Sequence, residues 1–267
     1  MGHGKIRVGA QLHPQQGDYA ALRDAAGLSE ELGFDIVYNW DHFYPLYGDR
    51  DGQHFECFTV LGAWAEQTST IEIGPLVACN SYRNPNLLVD MARTIDHISG
   101  GRFVLGVGSG WFERDYDEYG YEFGTAASRL RHLRDNLPIM EARLEKLNPQ
   151  PVRPIPILIA GTGPQFTLPM VARHADRWHA RFPQKPSDLE PAVAKLQAEC
   201  AAIGRDPNEI IWGLGVDPND LDRFLDEDGP ALVEMGFEEF TLGFNGPDWD
   251  VSAATRWLAW RDELNAG

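Results

Sequence analysis

The chain has only three cysteines, Cys57, Cys79 and Cys200, and no CxxC pair among its 267 residues. An odd, scattered set excludes a disulfide framework and suggests reduced thiols in a cytoplasmic protein. Long apolar runs are missing as well. No stretch approaches the length of a membrane span, and residues 1–10 lack the apolar core of a secretory signal. Basic residues are scarce: Lys and Arg number 23 against 40 Asp and Glu, a formal net charge of −17. Nucleic acids and anionic membranes demand a basic face, so neither is expected as a partner. The acid excess is spread out and serves solubility. Low-complexity segments, internal repeats and linkers are absent too, which leaves one domain over residues 1–267.

What is present is a steady alternation. Strand-like stretches at 5–11, 34–39, 71–78, 102–108, 157–160, 176–181, 209–216 and 238–244 are each followed by a helix-like one. The helices are expected near 58–67, 86–98, 126–147, 166–175, 189–203, 221–235 and 253–264, after a first one closed by Gly33. Alternating βα units imply a parallel sheet. Eight of them in roughly 250 residues imply a (β/α)8 TIM barrel, with a doubly wound open sheet as the rival.

In a barrel of this kind the chemistry sits where strands end and βα loops begin. That rule singles out "VYNWDHFYPLYG" (37–48), where β-formers give way to Asp41 and His42 among aromatics. An imidazole beside a carboxylate can serve as a general acid–base, whereas an arbitrary Asp-His pair is more often a helix cap beside a surface His. The aromatics suit a flat ring ligand, and core packing uses them equally well. Two Gly-rich loops, "GVGSG" (106–110) and "GTGPQ" (161–165), fall on the same rim. Glycine lets backbone N–H groups converge on a phosphate, although βα turns also use it merely for its conformational freedom. Neither loop matches a dinucleotide-binding or Walker fingerprint. His13, His42 and His179 could reach one zinc, but the HxH pair of metal-dependent barrel hydrolases is missing, and no metal ligands are assigned. No GxSxG elbow or Cys-His pair indicates a covalent nucleophile.

The segments "YRNP" (82–85), "IDHISGGR" (95–102) and "VLGVGSGW" (104–111) resemble the luciferase-like monooxygenase superfamily, in particular its branch dependent on the deazaflavin coenzyme F420. "WDHF" (40–43) and "ILIAGTGPQFTLPMVARHADRW" (157–178) fit the same pattern, so the resemblance covers about residues 5–182. It implies a (β/α)8 barrel that transfers a hydride between coenzyme F420 and a small organic substrate. It further implies that Asp41 and His42 sit against the coenzyme ring, with His42 as acid–base and Asp41 helping to set its charge. Leu76, Val77 and Ala78 would form a bulge behind the ring, often with a non-prolyl cis peptide. Gly108, Ser109 and Trp111, with Gly161, Thr162 and Gly163, would lie along the coenzyme's chain and phosphate. The sugar-phosphate dehydrogenase branch carries a catalytic Glu where this chain has Trp111, so that activity is not expected. FMN binds much the same shape, which makes an FMN-dependent monooxygenase using O2 the alternative. A non-catalytic coenzyme-binding protein and a metal-dependent hydrolase are further readings. A homodimer is expected through exposed-looking Trp64, Leu87, Leu88 and Met91.

Overall fold

The computed structural model describes residues 4–180, 185–217 and 221–267. Nine parallel strands run in the order β3-β2-β1-β9-β8-β7-β6-β5-β4. They are β1 (Arg7–Leu12), β2 (Ile36–Asn39), β3 (Glu72–Pro75), β4 (Ala78–Cys79), β5 (Leu105–Gly108), β6 (Ile157–Ala160), β7 (Arg177–Ala180), β8 (Ile211–Val216) and β9 (Phe237–Phe244). The ninth strand arises because the expected third one is interrupted at Leu76–Val77, whose peptide bond is cis. β3 pairs with β2, and β4 pairs with β5. The two ends of the sheet meet in a bridge between Ile73 and Phe103, with Ile73 N–H to the Arg102 carbonyl (3.1 Å) and Val104 N–H to the Ile73 carbonyl (2.9 Å). The sheet is thus a nearly closed barrel, and the open doubly wound alternative falls away. The last residue of the expected sixth strand, Arg181, lies outside the described residues.

Helices cover the outside: α1 (Tyr19–Leu32), α2 (Cys57–Gln67), α3 (Pro85–Ser99), α4 (Glu113–Tyr119), α5 (Ala126–Leu144), α6 (Thr167–His174) and α7 (Glu190–Ile203). Sequence-local devices end them. Asp18 caps α1 and Gly33 closes it in the left-handed region; Asn84 and Pro85 start α3 and Gly100 closes it. Between strands and helices lies the main core, whose largest fully buried members include Trp64, Trp178 and Trp257. Two residues expected at a dimer face, Trp64 and Leu88, belong to this core and are fully buried. Their helical spacing turns them toward the barrel, while Leu87 stays on the surface at 53% exposure. The helix expected at 221–235 is broken into α8 (Leu221–Arg223), a π turn (Phe224–Asp228) and α9 (Gly229–Glu234), where Pro230 lacks the N–H that a continuous helix would use. The chain ends in α10 (Thr255–Ala266).

Inward-facing side chains fill the barrel in layers. At the N-terminal strand ends, Arg7 and Arg177 share Glu72 and Glu239, and Tyr38 donates its hydroxyl to Glu239 at 2.8 Å. Burial opposes the Glu239 charge, but Arg177 and Arg7 win and hold its carboxyl below the usual value. Buried charges survive only when paired in this way. The network closes the floor and leaves the opposite rim for ligands.

Candidate active site

Asp41 and His42 follow β2 and meet different partners, Arg83 and Asp115. Asp41 is buried and meets Arg83 twice, at 2.6 and 3.0 Å, and the Cys79 N–H at 2.9 Å. Burial pushes its carboxyl above the ordinary value, against the pull of Arg83 and the Cys79 N–H. Arg83 continues to Glu56 at 2.6 Å. Asp41 therefore fastens the β2 end to β4 and to the turn before α3. It does not face His42.

The carboxylate that does is Asp115, from α4. Its Oδ2 stands 2.7 Å from His42 Nδ1 and accepts the Tyr82 hydroxyl at 3.0 Å. Its Oδ1 accepts the backbone N–H groups of Phe43 and Tyr44 at 3.1 and 3.2 Å. A carboxylate on Nδ1 fixes which ring nitrogen carries the proton and leaves Nε2 of the neutral ring with its lone pair. The edges of Trp40, Trp111 and Phe112 surround the ring, with centroids 5.9, 5.7 and 5.5 Å away. Trp111 is itself 62% exposed and available to a ligand.

Trp40 carries the site onward into the barrel. It stacks on His13 (centroids 4.0 Å, planes 10° apart) and donates its indole N–H to His54 Nε2 at 3.1 Å. His13 Nδ1 meets Asn245 Oδ1 at 2.8 Å. Beside it opens a cavity of about 380 Å³, lined among others by Gln11, His13, Leu76, Val77, His179 and Thr241. Burial lowers the His13 pKa to about 4 against the opposing bond to Asn245. His179 is likewise lowered to about 4 by burial, against Glu239. Both rings are neutral near pH 7.

Leu76 and Val77 form one apolar wall of this cavity, and Gln11 holds it by donating to the Leu76 carbonyl at 2.7 Å. The Ala78 side chain belongs to the core, and its backbone pairs with Val107 next to the ledge. Gly108 is needed for contact, because a Cβ there would stand 2.6 Å from Val77 Cγ2. Ser109 and Trp111 follow on the loop that leads into α4. Gly161, at φ +116, continues the rim from β6; its N–H donates to the His179 carbonyl at 2.9 Å and its carbonyl accepts the Trp178 indole at 2.8 Å. Thr162 and Gly163 lie beyond it, outside the cavity wall. The structure thus gathers Leu76 and Val77 around the cavity and links His42 to it through Trp40 and His13, with Trp111 packed against His42. Gly161, Thr162 and Gly163 lie in the next sector of the rim, and Asp41 is held in a structural ion pair. Among the described residues no three His, Cys, Asp or Glu side chains are placed to share a metal ion. No described helix is long and apolar enough to cross a membrane.

Asp115 and the cavity pair His179 and Thr241 are what sequence reasoning left unassigned or only named in passing. Asp115 sits one helical turn beyond the glycine loop in "GSGWFERDYDEYG", and that spacing is the signal that could have found it.

A rim that joins an oriented imidazole to an apolar ledge and a polar cavity places the chain among (β/α)8 barrel enzymes. More narrowly, it belongs to the luciferase-like monooxygenase family, whose model matches residues 5–217. An uncharacterised protein of Mycobacterium tuberculosis is 29% identical over 259 residues, covering 86% of this chain and 89% of that protein. The F420-dependent glucose-6-phosphate dehydrogenase of Amycolatopsis mediterranei is 28% identical over 190 residues; the match covers 64% of this chain and 55% of that enzyme. Among solved structures, an F420-dependent secondary alcohol dehydrogenase in complex with an F420-acetone adduct superposes with a TM-score of 0.83 at 18% identity, covering 97% of this chain and 99% of that one. Matches named as monooxygenases occur among both the sequences and the folds. The chain is an enzyme of this oxidoreductase and monooxygenase group.

Proposed function

We propose that this enzyme transfers a hydride between coenzyme F420 and a small organic substrate, with His42 handling the accompanying proton. The observation that carries the reading is the His42–Asp115 pair, joined through Trp40 and His13 to the cavity that Leu76 and Val77 line. A planar coenzyme fits the residues present: Leu76 and Val77 offer an apolar face, Gly108 keeps the adjoining wall free of a side chain, and Trp111 is exposed next to His42. When bound, a deazaflavin supplies a ring carbon that gives or accepts hydride. His42 Nε2 then takes a proton from a substrate hydroxyl, or returns one to a carbonyl oxygen, while Asp115 holds the ring in place. The Trp40 and Phe112 edges keep water from that exchange. Thr162 and Gly163, with Ser109, are suited to the coenzyme's chain and phosphate as backbone donors, while Gly161, whose N–H is taken by the His179 carbonyl, shapes the turn that presents them.

An FMN-dependent monooxygenase is the second reading, favoured by matches named as monooxygenases, one of them a solved structure in complex with FMN. Separate titrations with coenzyme F420 and FMN, followed by coenzyme fluorescence, distinguish the two. His42→Ala should then leave F420 affinity close to wild type and lower turnover by about 10²–10⁴-fold. If turnover persists and the coenzyme is lost instead, His42 is a binding residue. A homodimer and a cytoplasmic setting belong to the same reading. The exposed Leu87 supports the first and the three free buried thiols the second. A lone species of monomer mass in sedimentation removes the dimer.

A further inference from the structure

Trp111, at 62%, is the most exposed large hydrophobic side chain among the described residues. Three other aromatic rings are exposed, and each has its own partner. Tyr19 meets the edge of Phe55, and Tyr47 ties its hydroxyl to His13 Nδ1 at 2.5 Å. Tyr119 stacks on Phe43, with centroids 3.9 Å and planes 18° apart. Trp111 has no such parallel stack: it meets His42 at 75° and Phe112 at 52°. It is also the one exposed ring in contact with His42, whose side chain keeps 11% of its own surface open. Asp115 takes Nδ1 of that imidazole, so Nε2 is the nitrogen left for a ligand. An uncovered indole beside an open, oriented imidazole is a binding surface for a flat ring. Trp111 does not line the cavity of the Leu76–Val77 ledge, so its surface lies outside the place given to the coenzyme ring.

We propose that Trp111 determines specificity, and that the substrate carries a planar, unsaturated ring next to the hydroxyl or carbonyl oxygen that His42 serves. The oxygen stays with His42 Nε2, the coenzyme ring stays on the ledge, and the substrate's ring covers the Trp111 indole. The substrate class is therefore an aryl or conjugated alcohol or carbonyl compound. An aromatic pair is favoured by about two- to tenfold in affinity beyond the area it buries. A saturated ring has no π face to offer and gains from burial alone. The proposal rests on the hydride-transfer reading for its role in turnover, but the ring contact is measurable without turnover.

The test uses the full-length chain, with and without coenzyme F420. The probes are benzyl alcohol and cyclohexylmethanol, which share a hydroxymethyl group on a ring of six carbons and differ in planarity. Nitrogen-15 resonances of the Trp111 indole, assigned by its absence from Trp111→Phe, and of the His42 imidazole report binding. Benzyl alcohol should shift both saturably with one midpoint. Cyclohexylmethanol should bind about two- to tenfold more weakly, although burial alone favours its larger apolar surface. In the variants, affinity is read from His42. Trp111→Ala should weaken benzyl alcohol by about tenfold, and Trp111→Phe, which keeps a ring, should recover part of the loss. Tyr119→Ala, which removes an exposed ring that does not touch His42, should change neither probe. Saturating coenzyme should leave benzyl alcohol bound. A side chain this exposed carries little of the core, so the Trp111 variants should fold. Equal or tighter binding of cyclohexylmethanol, unchanged affinity in Trp111→Ala, or a Trp111 shift without a His42 shift overturns the proposal. So does displacement of benzyl alcohol by the coenzyme, or silence of both resonances up to the solubility of the probes. Coenzyme bound with no probe response sinks only the substrate class. Probe response without coenzyme binding sinks the hydride-transfer reading and leaves the ring site standing.

Discussion

Four groups converge on the carboxylate of Asp115: His42 Nδ1, the Tyr82 hydroxyl, and the N–H groups of Phe43 and Tyr44. Asparagine in its place presents an NH2 to groups that need an acceptor, so at least one of these contacts turns unfavourable. Asp115→Asn should therefore cost about 1–3 kcal/mol of stability. Turnover should fall by about ten- to a hundredfold, at or below the lower end of the range for losing a general acid–base. Coenzyme affinity, read by fluorescence, should barely move. Loss of affinity with unchanged turnover would make Asp115 a scaffold for the ledge rather than a positioning residue for His42. The sequence made His42 readable because its place at a strand end among aromatics is a local feature. The pairing with Asp115 joins residues 73 positions apart and depends on how α4 folds back over the rim. No periodicity encodes that approach, and adjacency in the chain suggested Asp41 instead. Asp41 is taken up by Arg83 instead, a pairing 42 positions apart that adjacency does not show either.

At the scale of elements, the seam between β3 and β5 is held by few hydrogen bonds and a close backbone approach. A Cβ at Gly74 would stand 2.3 Å from the Val104 carbonyl oxygen, so Gly74→Ala must push the two strands apart. The expected cost is about 1–3 kcal/mol, seen as a lowered melting temperature. Gly62 inside α2 is the matched control, because nothing lies within 4 Å of a Cβ built there. Gly62→Ala should leave stability unchanged or raise it by about 0.5–1 kcal/mol through helix propensity. Equal effects at both positions would contradict the close approach at the seam. The alternation of strands and helices was readable because each element carries its own period and its own stop signal, such as Gly33 and Gly100. The bulge at Leu76–Val77 was expected only from family resemblance. The short α4 was missed because seven residues of mixed polarity give too little periodicity to register. Trp64 and Leu88 were misplaced because a broad apolar surface on a helix does not say which flank meets the barrel.

For the molecule as a whole, acid should act in two stages, set by different groups. Burial lowers His13 and His54 to about 4, and lowers His179 to about 4 as well. Each is neutral in the fold, and His54 must be so to accept the Trp40 indole N–H. An unfolded imidazole titrates near 6.5, so between about 6.5 and 4 the unfolded chain binds more protons than the folded one. Stability from these three is complete above about pH 6.5 and drains away as pH falls toward 4. A shift of this size corresponds to at most about 3 kcal/mol per histidine, and the half-buried His54 contributes less. The carboxylates act later. Glu72 and Glu239 are held below their usual value by Arg7 and Arg177 despite burial, so their contribution is present above the ordinary carboxylate pKa and is lost only below it. Melting temperature should be level from about pH 8 to 7, decline between about 6.5 and 4, and decline further below about 4.5 as the carboxylates protonate. His13→Gln should flatten the first decline and leave the second intact. A melting temperature that stays level down to pH about 4.5 would mean that the imidazoles reach water in the folded protein and do not titrate as buried groups.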